Sequence, residues 1–316
     1  MLYLGIDTSN YTTSAALYDS ENGTVVQQKM PLPVKKGARG LRQSDAVFHH
    51  TVQLPQVLEK LLSGDPVHLD GVGVSVFPRR AEGSYMPCFL AGKSAAKAVG
   101  LAGVIPCFEV SHQEGHIAAA LYSADAFELI QAPFLAFHAS GGTTEALLVT
   151  PHESRIFEAC CVARSLDLHA GQAVDRVGVM LGLAFPCGPA MESLALQSKR
   201  TFSIKPAMKG ADCCLSGVEN RCQAMFSAGE PAADIAKFCI ESIRAALDGM
   251  LQALLCEYGN LPVLFSGGVS SNRTLQSYFS ENYGAKFAEP AFSADNAAGV
   301  AVLAALYHEG YETHAV

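Results

Sequence analysis

The sequence predicts an α/β protein built from two similar halves. Short apolar segments typical of strands alternate along the chain with longer segments that repeat apolar residues at helical spacing. Residues 5–17 also align without a gap on residues 136–148, and both segments carry Ser, Thr, Thr, Ala and Leu at equivalent positions. At 316 residues the chain exceeds the usual size of one domain. An internal duplication explains both the length and the repeated pattern.

The first half has the pattern of a three-stranded meander followed by alternating helices and strands. Two apolar segments flank a polar turn, which predicts a hairpin, and a third strand follows an Asn-Gly turn. The first helix has Asp45 as its expected N-cap, and the second is rich in alanine. The predicted elements are strands at 2–6, 12–18, 24–29, 72–76 and 104–107, and helices at 45–62 and 88–99.

The second half repeats this order. A hairpin is followed by a strand at 155–162, a helix at 171–181 and further helices, then a strand at 263–265 and helices from Asn272 and Asp295. We divide the chain into subdomains 1–128 and 129–316. Two such copies are the layout of the actin, sugar-kinase and Hsp70 ATPase superfamily (ASKHA). In that architecture the two hairpin turns face each other across a nucleotide cleft and hold the phosphates of ATP.

Composition indicates a globular protein. Apolar residues make up 49% of the chain and charged residues 16%. The N-terminus lacks the pattern of a signal peptide, and no apolar stretch of about 18 residues is long enough to span a membrane. The ten cysteines are scattered without CxxC spacing, which favours reduced thiols in a cytoplasmic protein.

The charge pattern bears on nucleic-acid binding. A net charge of −8 argues against a broad, autonomous nucleic-acid-binding surface. One local exception carries Lys35, Lys36, Arg39 and Arg42 within eight residues. This run is either a solvated loop or an RNA-facing loop, which Arg79 and Arg80 could extend.

A pair of histidines is the first candidate site. His112 and His116 are four residues apart, so on a helix both imidazoles lie on one face and can reach one metal ion. Two surface histidines without a ligand are the alternative. A zincin metalloprotease would need its glutamate next to the first histidine. Glu114 is two residues on and would face away from the metal, so we exclude this class.

Two glycine-containing turns are candidates for phosphate or nucleotide binding. The turn Ser140-Gly141-Gly142-Thr143-Thr144 offers backbone N–H groups and hydroxyls to a phosphate, and it could equally be a plain hairpin turn. The turn Ser266-Gly267-Gly268 lies between a buried strand and a helix, an arrangement that suits an anion. No P-loop motif is present. Asp175 could form a structural pair or bind a ribose, and Asp295 could cap a helix or bind a metal.

Together these motifs resemble the TsaD family, the catalytic subunit of tRNA threonylcarbamoyladenosine synthesis, formerly described as a glycoprotein endopeptidase. The resemblance extends from Leu4 to about Ala305. It is carried by the HxxxH segment, the two glycine turns, the segment AGQAVDRVGVMLGLAFPCGPAMESLA from Ala170, the tripeptide Leu215-Ser216-Gly217 and the segment Ala294-Asp295-Asn296-Ala297-Ala298.

The resemblance implies an ASKHA fold with one iron or zinc ion and an adenylate ligand. The family's metal ligands, through which catalysis would occur, match His112, His116 and Asp295. The family transfers threonylcarbamoyl from threonylcarbamoyl-AMP to N6 of adenosine 37 in tRNAs that read ANN codons. It also implies tRNA and TsaB-like and TsaE-like proteins as partners. The residues matching the adenylate site are Ser140, Gly141, Gly142, Thr143, Asp175, Gly188, Glu192 and Asn272.

Several positions depart from the family pattern. The first turn lacks the family's acidic pair, and residues 77–80 replace its Gly-Pro-Gly-Leu segment. Thr143 replaces a histidine or asparagine, Gln172 a glutamate, and Val218-Glu219 a Leu-Lys pair. His138 occupies the position of a metal-ligating tyrosine in archaeal relatives. We predict it as a fourth metal ligand, with a buried structural histidine as the alternative.

These departures leave two functional hypotheses. The first is a metal-dependent threonylcarbamoyl transferase, or a paralogue that transfers a related carbamoyl group to another acceptor. The second is a non-catalytic paralogue that binds nucleotide or metal and acts as a scaffold for other tRNA-modification subunits. The departures affect the first turn and the acceptor side more than the metal and adenosine motifs, so metal and nucleotide binding is the stronger expectation.

Overall fold

The computed structural model describes residues 1–9, 11–33, 41–64, 66–293 and 297–310. Among these residues the strands are β1 (Leu2–Asp7), β2 (Thr12–Asp19), β3 (Thr24–Pro31), β4 (Gly71–Phe77), β5 (Cys107–Ser111), β6 (Phe134–Ala139), β7 (Thr144–His152), β8 (Arg155–Arg164), β9 (Ala207–Lys209), β10 (Asp212–Cys214), β11 (Val263–Ser266) and β12 (Lys286–Phe287). The helices are α1 (Gln43–Leu61), α2 (Phe89–Gly103), α3 (His112–Ser123), α4 (Ala170–Met180), α5 (Gly188–Ala195), α6 (Ser216–Ser227), α7 (Ala232–Tyr258), α8 (Arg273–Tyr283) and α9 (Ala298–His308).

The chain forms two compact units that are not contiguous in sequence. Unit 1 contains Met1–Phe127, His152–Ile156 and Ala291–Val316, and unit 2 contains Glu128–Pro151 and Phe157–Pro290. Unit 1 therefore includes α9, which a simple division into 1–128 and 129–316 assigns to the second subdomain.

The two units share one sheet topology, and the predicted α/β class is confirmed. The strand order is β3-β2-β1-β4-β5 in unit 1 and β8-β7-β6-β11-β12 in unit 2. In each sheet the first strand of the meander pairs antiparallel with the second strand. It also pairs parallel with the next strand of the same sheet, which is β4 in unit 1 and β11 in unit 2. This equivalence is what a duplicated α/β unit requires.

Helices cover the sheet of unit 1 and so position its polar turn. Leu4 and Ile6 of β1 pack in one cluster with Leu54 and Val57 of α1. Ala16 of β2 packs instead with alanines at the start of α9. Burial of both faces accounts for the nearly continuous apolar sequence of β1, and it places the polar Asp7 at the end of that strand.

The core of unit 2 is larger and is centred on α7. Its buried residues come from β6, α4, α5, α6, α7, β11 and α8. The 27-residue α7 buries one side against these elements, including Ile240 and Ile243. Because α5 and α7 pack together in this core, the segments joined to α5 are held in place.

Two local predictions are wrong. The N-cap of α1 is Arg42 rather than Asp45, and Asp45 lies in the first turn, where its negative charge still favours the helix N-terminus. No strand forms over 104–106, because α2 continues to Gly103 and Val104 ends it in a left-handed conformation with φ 54°. The strand begins at Cys107 instead.

Two general features concern the membrane and the cysteines. Among the described residues no helix combines the length and the apolar character needed to cross a membrane. All ten cysteines lie in the described segments, and none of them forms a disulfide.

Candidate functional site

The two histidines lie in the first two turns of α3, as predicted. Ser111 caps this helix by accepting a hydrogen bond from the backbone N–H of Glu114. His112 is the first helical residue, and His116 lies one turn later on the same face. Their Nε2 atoms are 2.9 Å apart. A separation this short allows both nitrogens to lie about 2.0–2.1 Å from one zinc ion.

A buried carboxylate orients the first histidine. The side chain of Asp7, 1% exposed, lies with Oδ2 2.7 Å from Nδ1 of His112. Its other oxygen, Oδ1, accepts a hydrogen bond of 2.7 Å from the backbone N–H of Ser9. When the proton is on Nδ1, the lone pair of His112 is on Nε2, the atom that faces His116. Metal-binding histidines commonly have such a carboxylate partner.

Glu114 stabilises the start of α3 and is not directed at the histidine pair. Its Oε2 accepts a hydrogen bond from the backbone N–H of Ser111, which completes a capping box. Its Oε1 accepts one from Nε of Arg80 at 2.8 Å. The Arg80 guanidinium also lies 5.3 Å from the ring centre of Phe77. The 77–80 segment, one of the departures from the family pattern, thus anchors the helix that carries both histidines.

The other two predicted metal ligands are Asp295 and His138. Asp295 lies outside the described residues. His138 is half-buried in β6 of unit 2, and its Nδ1 lies 3.0 Å from Oγ of Ser266 on the neighbouring strand. Its role as a fourth ligand stays a prediction. Within the described part of the chain, no group of three or more histidine, cysteine or acidic side chains is arranged to hold a metal.

Unit 2 contains a cavity of about 380 Å³, a size typical of small-molecule sites. Residues predicted for the adenylate site converge on it from three separate segments. Those that line the cavity are Gly141, Asp175, Gly188, Glu192 and Asn272. The other predicted residues, Ser140, Gly142 and Thr143, belong to the same turn as Gly141.

Hydrogen bonds hold the Ser140–Thr143 turn closed. The Ser140 hydroxyl accepts a hydrogen bond of 3.2 Å from the N–H of Thr143, and the Ser140 N–H donates to the Thr143 carbonyl at 2.8 Å. The start of α4 packs directly on this turn, where the N–H of Gly171 donates to the Ser140 carbonyl. A Cβ at position 171 would lie 2.5 Å from the backbone nitrogen of Gly141, so only glycine fits.

Two carboxylates line the cavity and have similar environments. Asp175 Oδ1 accepts a hydrogen bond of 2.8 Å from the N–H of Cys187, which fixes the turn before α5. Glu192 Oε1 accepts one of 3.0 Å from the N–H of Arg273 at the start of α8. Among the described residues, no hydrogen bond is made to the second oxygen of either carboxylate. Each can therefore accept a further hydrogen bond from a ligand hydroxyl.

Asn272 caps a helix and lines the cavity. Its side-chain oxygen caps α8 by accepting hydrogen bonds from the N–H groups of Thr274 and Leu275. This arrangement leaves the amide NH₂ as a hydrogen-bond donor at the cavity wall. The structure confirms that a helix begins at this asparagine.

The apolar wall of the cavity was missed by sequence reasoning. It is formed by side chains from α4, α7, α8 and the turn after β11, namely Val174, Ile240, Ile243, Val269 and Leu275. These residues have the ordinary spacing of buried helix faces, so no local signal separates them from the core. Apolar walls with a few polar groups are the usual composition of small-molecule and cofactor sites.

The duplicated sheets with helices on their faces define a protein of the actin-like ATPase fold. A solved structure of full-length HypF, in the phosphate- and nucleotide-bound form, matches with a TM-score of 0.60 at 14% identity. The match covers 99% of this chain and 56% of that one. The model of the TsaD family, tRNA N6-adenosine threonylcarbamoyltransferase, matches residues 33–302. The chain belongs to this family of transferases.

Curated relatives agree with this assignment over almost the whole chain. A tRNA N6-adenosine threonylcarbamoyltransferase from Thermus thermophilus is 31% identical, over 98% of this chain and 94% of its own length. One from Archaeoglobus fulgidus is 27% identical, over 99% and 94%. The predicted resemblance to the TsaD family is therefore confirmed.

Proposed function

We propose that the protein transfers a threonylcarbamoyl group from threonylcarbamoyl-AMP to N6 of adenosine 37 of tRNA. Family membership supports the class of reaction. The observation that carries the proposal is the cavity of unit 2, on which five residues predicted for adenylate binding converge. They come from segments as far apart in sequence as Gly141 and Asn272, so their convergence is not a property of any one motif.

The cavity offers a different group to each part of an adenylate. The apolar wall, with Ile240 and Ile243, suits the faces of an adenine ring. The second oxygens of Asp175 and Glu192 can accept hydrogen bonds from the two ribose hydroxyls. Gly141 brings backbone close to the cavity without a side chain, as a bound phosphate requires. ATP, which has the same adenosine moiety, is the accessible substitute ligand.

The proposed reaction is an acyl-type substitution. N6 of the acceptor adenosine forms a bond to the carbamoyl carbon, and the bond from that carbon to the phosphate oxygen breaks. AMP leaves with the electron pair of that bond, and N6 loses one proton to solvent or a base. The Ser140–Thr143 turn of unit 2 holds the phosphate of the leaving AMP, and the hydrogen bonds from the ribose to Asp175 and Glu192 keep the adenylate from rotating.

The histidine pair is the proposed core of a metal site. The two converging Nε2 atoms and the carboxylate behind His112 fit one iron or zinc ion, with Asp295 proposed as the third ligand. When bound, such an ion supplies Lewis-acid polarisation of a carbonyl oxygen. Asp7 keeps the proton on Nδ1 of His112, so that Nε2 presents its lone pair.

Family membership also supports a proposal for the acceptor and the protein partners. We propose tRNA as acceptor, and TsaB-like and TsaE-like proteins as partners. The run of Lys35, Lys36 and Arg39, a predicted RNA contact, lies outside the described residues.

The test is direct transfer. Purified protein loaded with zinc or with iron is mixed with threonylcarbamoyl-AMP and an unmodified tRNA transcript that reads an ANN codon. Nucleoside mass spectrometry then detects threonylcarbamoyladenosine. We expect product from the wild type and none from His112→Ala or Asp295→Ala. His152→Ala is the control, because this histidine is half-buried at the end of β7 and its Nδ1 accepts a hydrogen bond from the backbone N–H of Ser154.

Each outcome has a distinct meaning. Absence of product with ATP still bound by unit 2 would contradict the proposed acceptor and indicate another carbamoyl acceptor. Absence of both product and nucleotide binding would contradict the enzyme assignment and favour a scaffold paralogue.

A further inference from the structure

A basic segment on unit 2 is not explained by the nucleotide cavity or the histidine pair. Residues 196–211 contain Lys199, Arg200, Lys205 and Lys209 and no carboxylate, in a chain whose net charge is −8. The segment leaves the end of α5, the helix that carries Glu192 at the cavity, and leads into β9.

The segment presents its polar side chains outward in regular alternation. From residue 201 to 209 every odd position is exposed and every even position is half-buried. This two-residue period is that of an extended chain lying along a surface. The exposed positions include Thr201, Ser203, Lys205 and Lys209, and Lys199 is also exposed. We call these five residues the basic strip.

The inward side chains fix the strip on the core of unit 2. Phe202 packs edge-on against Phe238 of α7 with ring centres 5.3 Å apart. Met208 lies against α7 at Gly249. Ser198, just before the strip, donates a hydrogen bond of 2.5 Å to Asp234. A strip held in this way loses little conformational entropy when it binds a ligand.

The lysines of the strip are not neutralised by protein carboxylates. Lys199, Lys205 and Lys209 form no ion pair with another described residue. Arg200 differs, because it pairs with Glu230 and Asp234 and stacks over Phe202.

Lys209 has one acidic neighbour and one further cation beside it. It faces Asp212 across the β9–β10 hairpin, and Oδ1 of Asp212 accepts a hydrogen bond from the backbone N–H of Arg164. Arg164 is itself exposed at the end of β8, and it also forms no ion pair with a described residue. The positive charge therefore continues from the strip onto the end of the large sheet.

We infer that the basic strip binds the phosphate backbone of the tRNA acceptor, an inference that rests on the proposed function. Lysine ammonium groups and serine and threonine hydroxyls are the side chains that contact phosphates without reading sequence. Because the whole chain is acidic, RNA binding requires such a local region of positive charge. The strip continues from α5, so it ties RNA binding to the same unit as the nucleotide cavity.

The experiment compares two variants with equal changes in charge. The first is Lys199→Gln/Lys205→Gln/Lys209→Gln. The control with the same change in charge is Lys29→Gln/Lys60→Gln/Lys97→Gln, which removes three exposed lysines of unit 1, one of which, Lys97, is paired with Glu109. Binding of an unmodified tRNA transcript is measured by fluorescence anisotropy between about 50 and 200 mM salt, and ATP binding by calorimetry on the same samples.

We expect the strip variant to bind tRNA about 10- to 100-fold more weakly than the wild type. Its slope of log Kd against log salt should fall by roughly 2 to 3, because each lost phosphate contact removes about 0.7–0.9. The control should stay within about twofold of the wild type, and ATP affinity should not change in either variant. Circular dichroism would show that both variants are folded.

The contradictory results are distinguishable. A strip variant whose affinity and salt slope equal those of the control would overturn the strip and leave the proposed function intact. A wild type that binds ATP and no tRNA at any salt concentration would contradict the tRNA acceptor itself, and the strip with it.

Discussion

The contact between Asp7 and His112 makes a quantitative prediction about metal affinity. In the wild type, the two carboxylate oxygens of Asp7 accept hydrogen bonds from different donors, the N–H of Ser9 and Nδ1 of His112. Asp7→Asn replaces one of these oxygens with an NH₂ group. Either orientation of the amide leaves one of these donors facing an NH₂ group. If it is His112, the proton moves to Nε2 and removes the lone pair that would bind the metal.

The size of the effect follows from the burial of the contact. Asp7 is 1% exposed, so water cannot replace the lost acceptor. Loss of a carboxylate partner of a metal-binding histidine typically costs 10- to 100-fold in affinity, or about 1.4–2.8 kcal/mol. We expect Asp7→Asn to weaken zinc binding by this amount, and His112→Ala to weaken it further.

The assay is a zinc competition titration against a fluorescent chelator. Asp19→Asn serves as the matched control, because it makes the same change in the turn at the far end of β2, where Asp19 accepts from the N–H of Glu21. Thermal unfolding shows whether each variant is folded. Asp7→Asn with the zinc affinity of the wild type would refute the orienting role of the carboxylate.

Three further predictions concern stability and the nucleotide cavity. Gly171→Ala should weaken ATP binding about tenfold or more in calorimetry and destabilise the fold by about 1–3 kcal/mol, because the new Cβ would clash with the backbone of the Ser140–Thr143 turn. The control Gly217→Ala should be neutral, because a Cβ at position 217 meets no atom within 4 Å. Arg80→Ala should lower the free energy of unfolding in urea by about 1–3 kcal/mol, since it leaves the buried Glu114 with one hydrogen bond fewer; no change would contradict this. Burial raises the pKa of Asp167, but hydrogen bonds from a serine hydroxyl and three backbone N–H groups lower it overall. The ionised Asp167 therefore stabilises the fold above about pH 4, and this stabilisation is lost as the pH falls through the lowered pKa. The free energy of unfolding of the wild type should thus depend more on pH below about 4 than that of Asp167→Asn. Equal pH dependence in the two proteins would refute this prediction.

The sequence predicted those features that depend on local pattern. Alternating apolar segments predicted the strands of both meanders, and the repeated residues around Ser9 and Ser140 indicated that the two hairpins are equivalent. Asn272 was predicted at the start of a helix, and it caps α8. In these cases the structural role depends on a few neighbouring residues, which the sequence displays directly.

Features that depend on distant residues could not be predicted. Asp7 and His112 are 105 positions apart, and nothing in either motif indicates that they are hydrogen-bonded. The return of α9 to unit 1 depends on the close fit of small residues such as Ala298 and Ala301 against β2, which has no counterpart in local periodicity. The error at 104–106 has a similar origin. Helix α2 continues past Val99 through Gly100, which has a low helix propensity but lies buried close to Val72 and Cys107.

Asp175 shows how one residue can satisfy two readings of the sequence. The structural interpretation expected a pair with a cation, but the carboxylate holds the N–H of Cys187. It also lines the cavity of unit 2, which we propose as the adenylate site. The sequence does not show that one carboxylate can do both. In the structure, Oδ1 of Asp175 accepts the hydrogen bond from the N–H of Cys187, and Oδ2 is left to accept a hydrogen bond from a ligand.

The most direct test of the account is the position of the transferred group on tRNA. Threonylcarbamoyl-AMP labelled in its threonine is mixed with the metal-loaded protein and two transcripts that differ only at position 37, adenosine in one and guanosine in the other. The account predicts label on the adenosine-37 transcript alone, and a labelled N6-modified adenosine after digestion. Equal label on both transcripts, or label on neither while the cavity binds ATP, would contradict it.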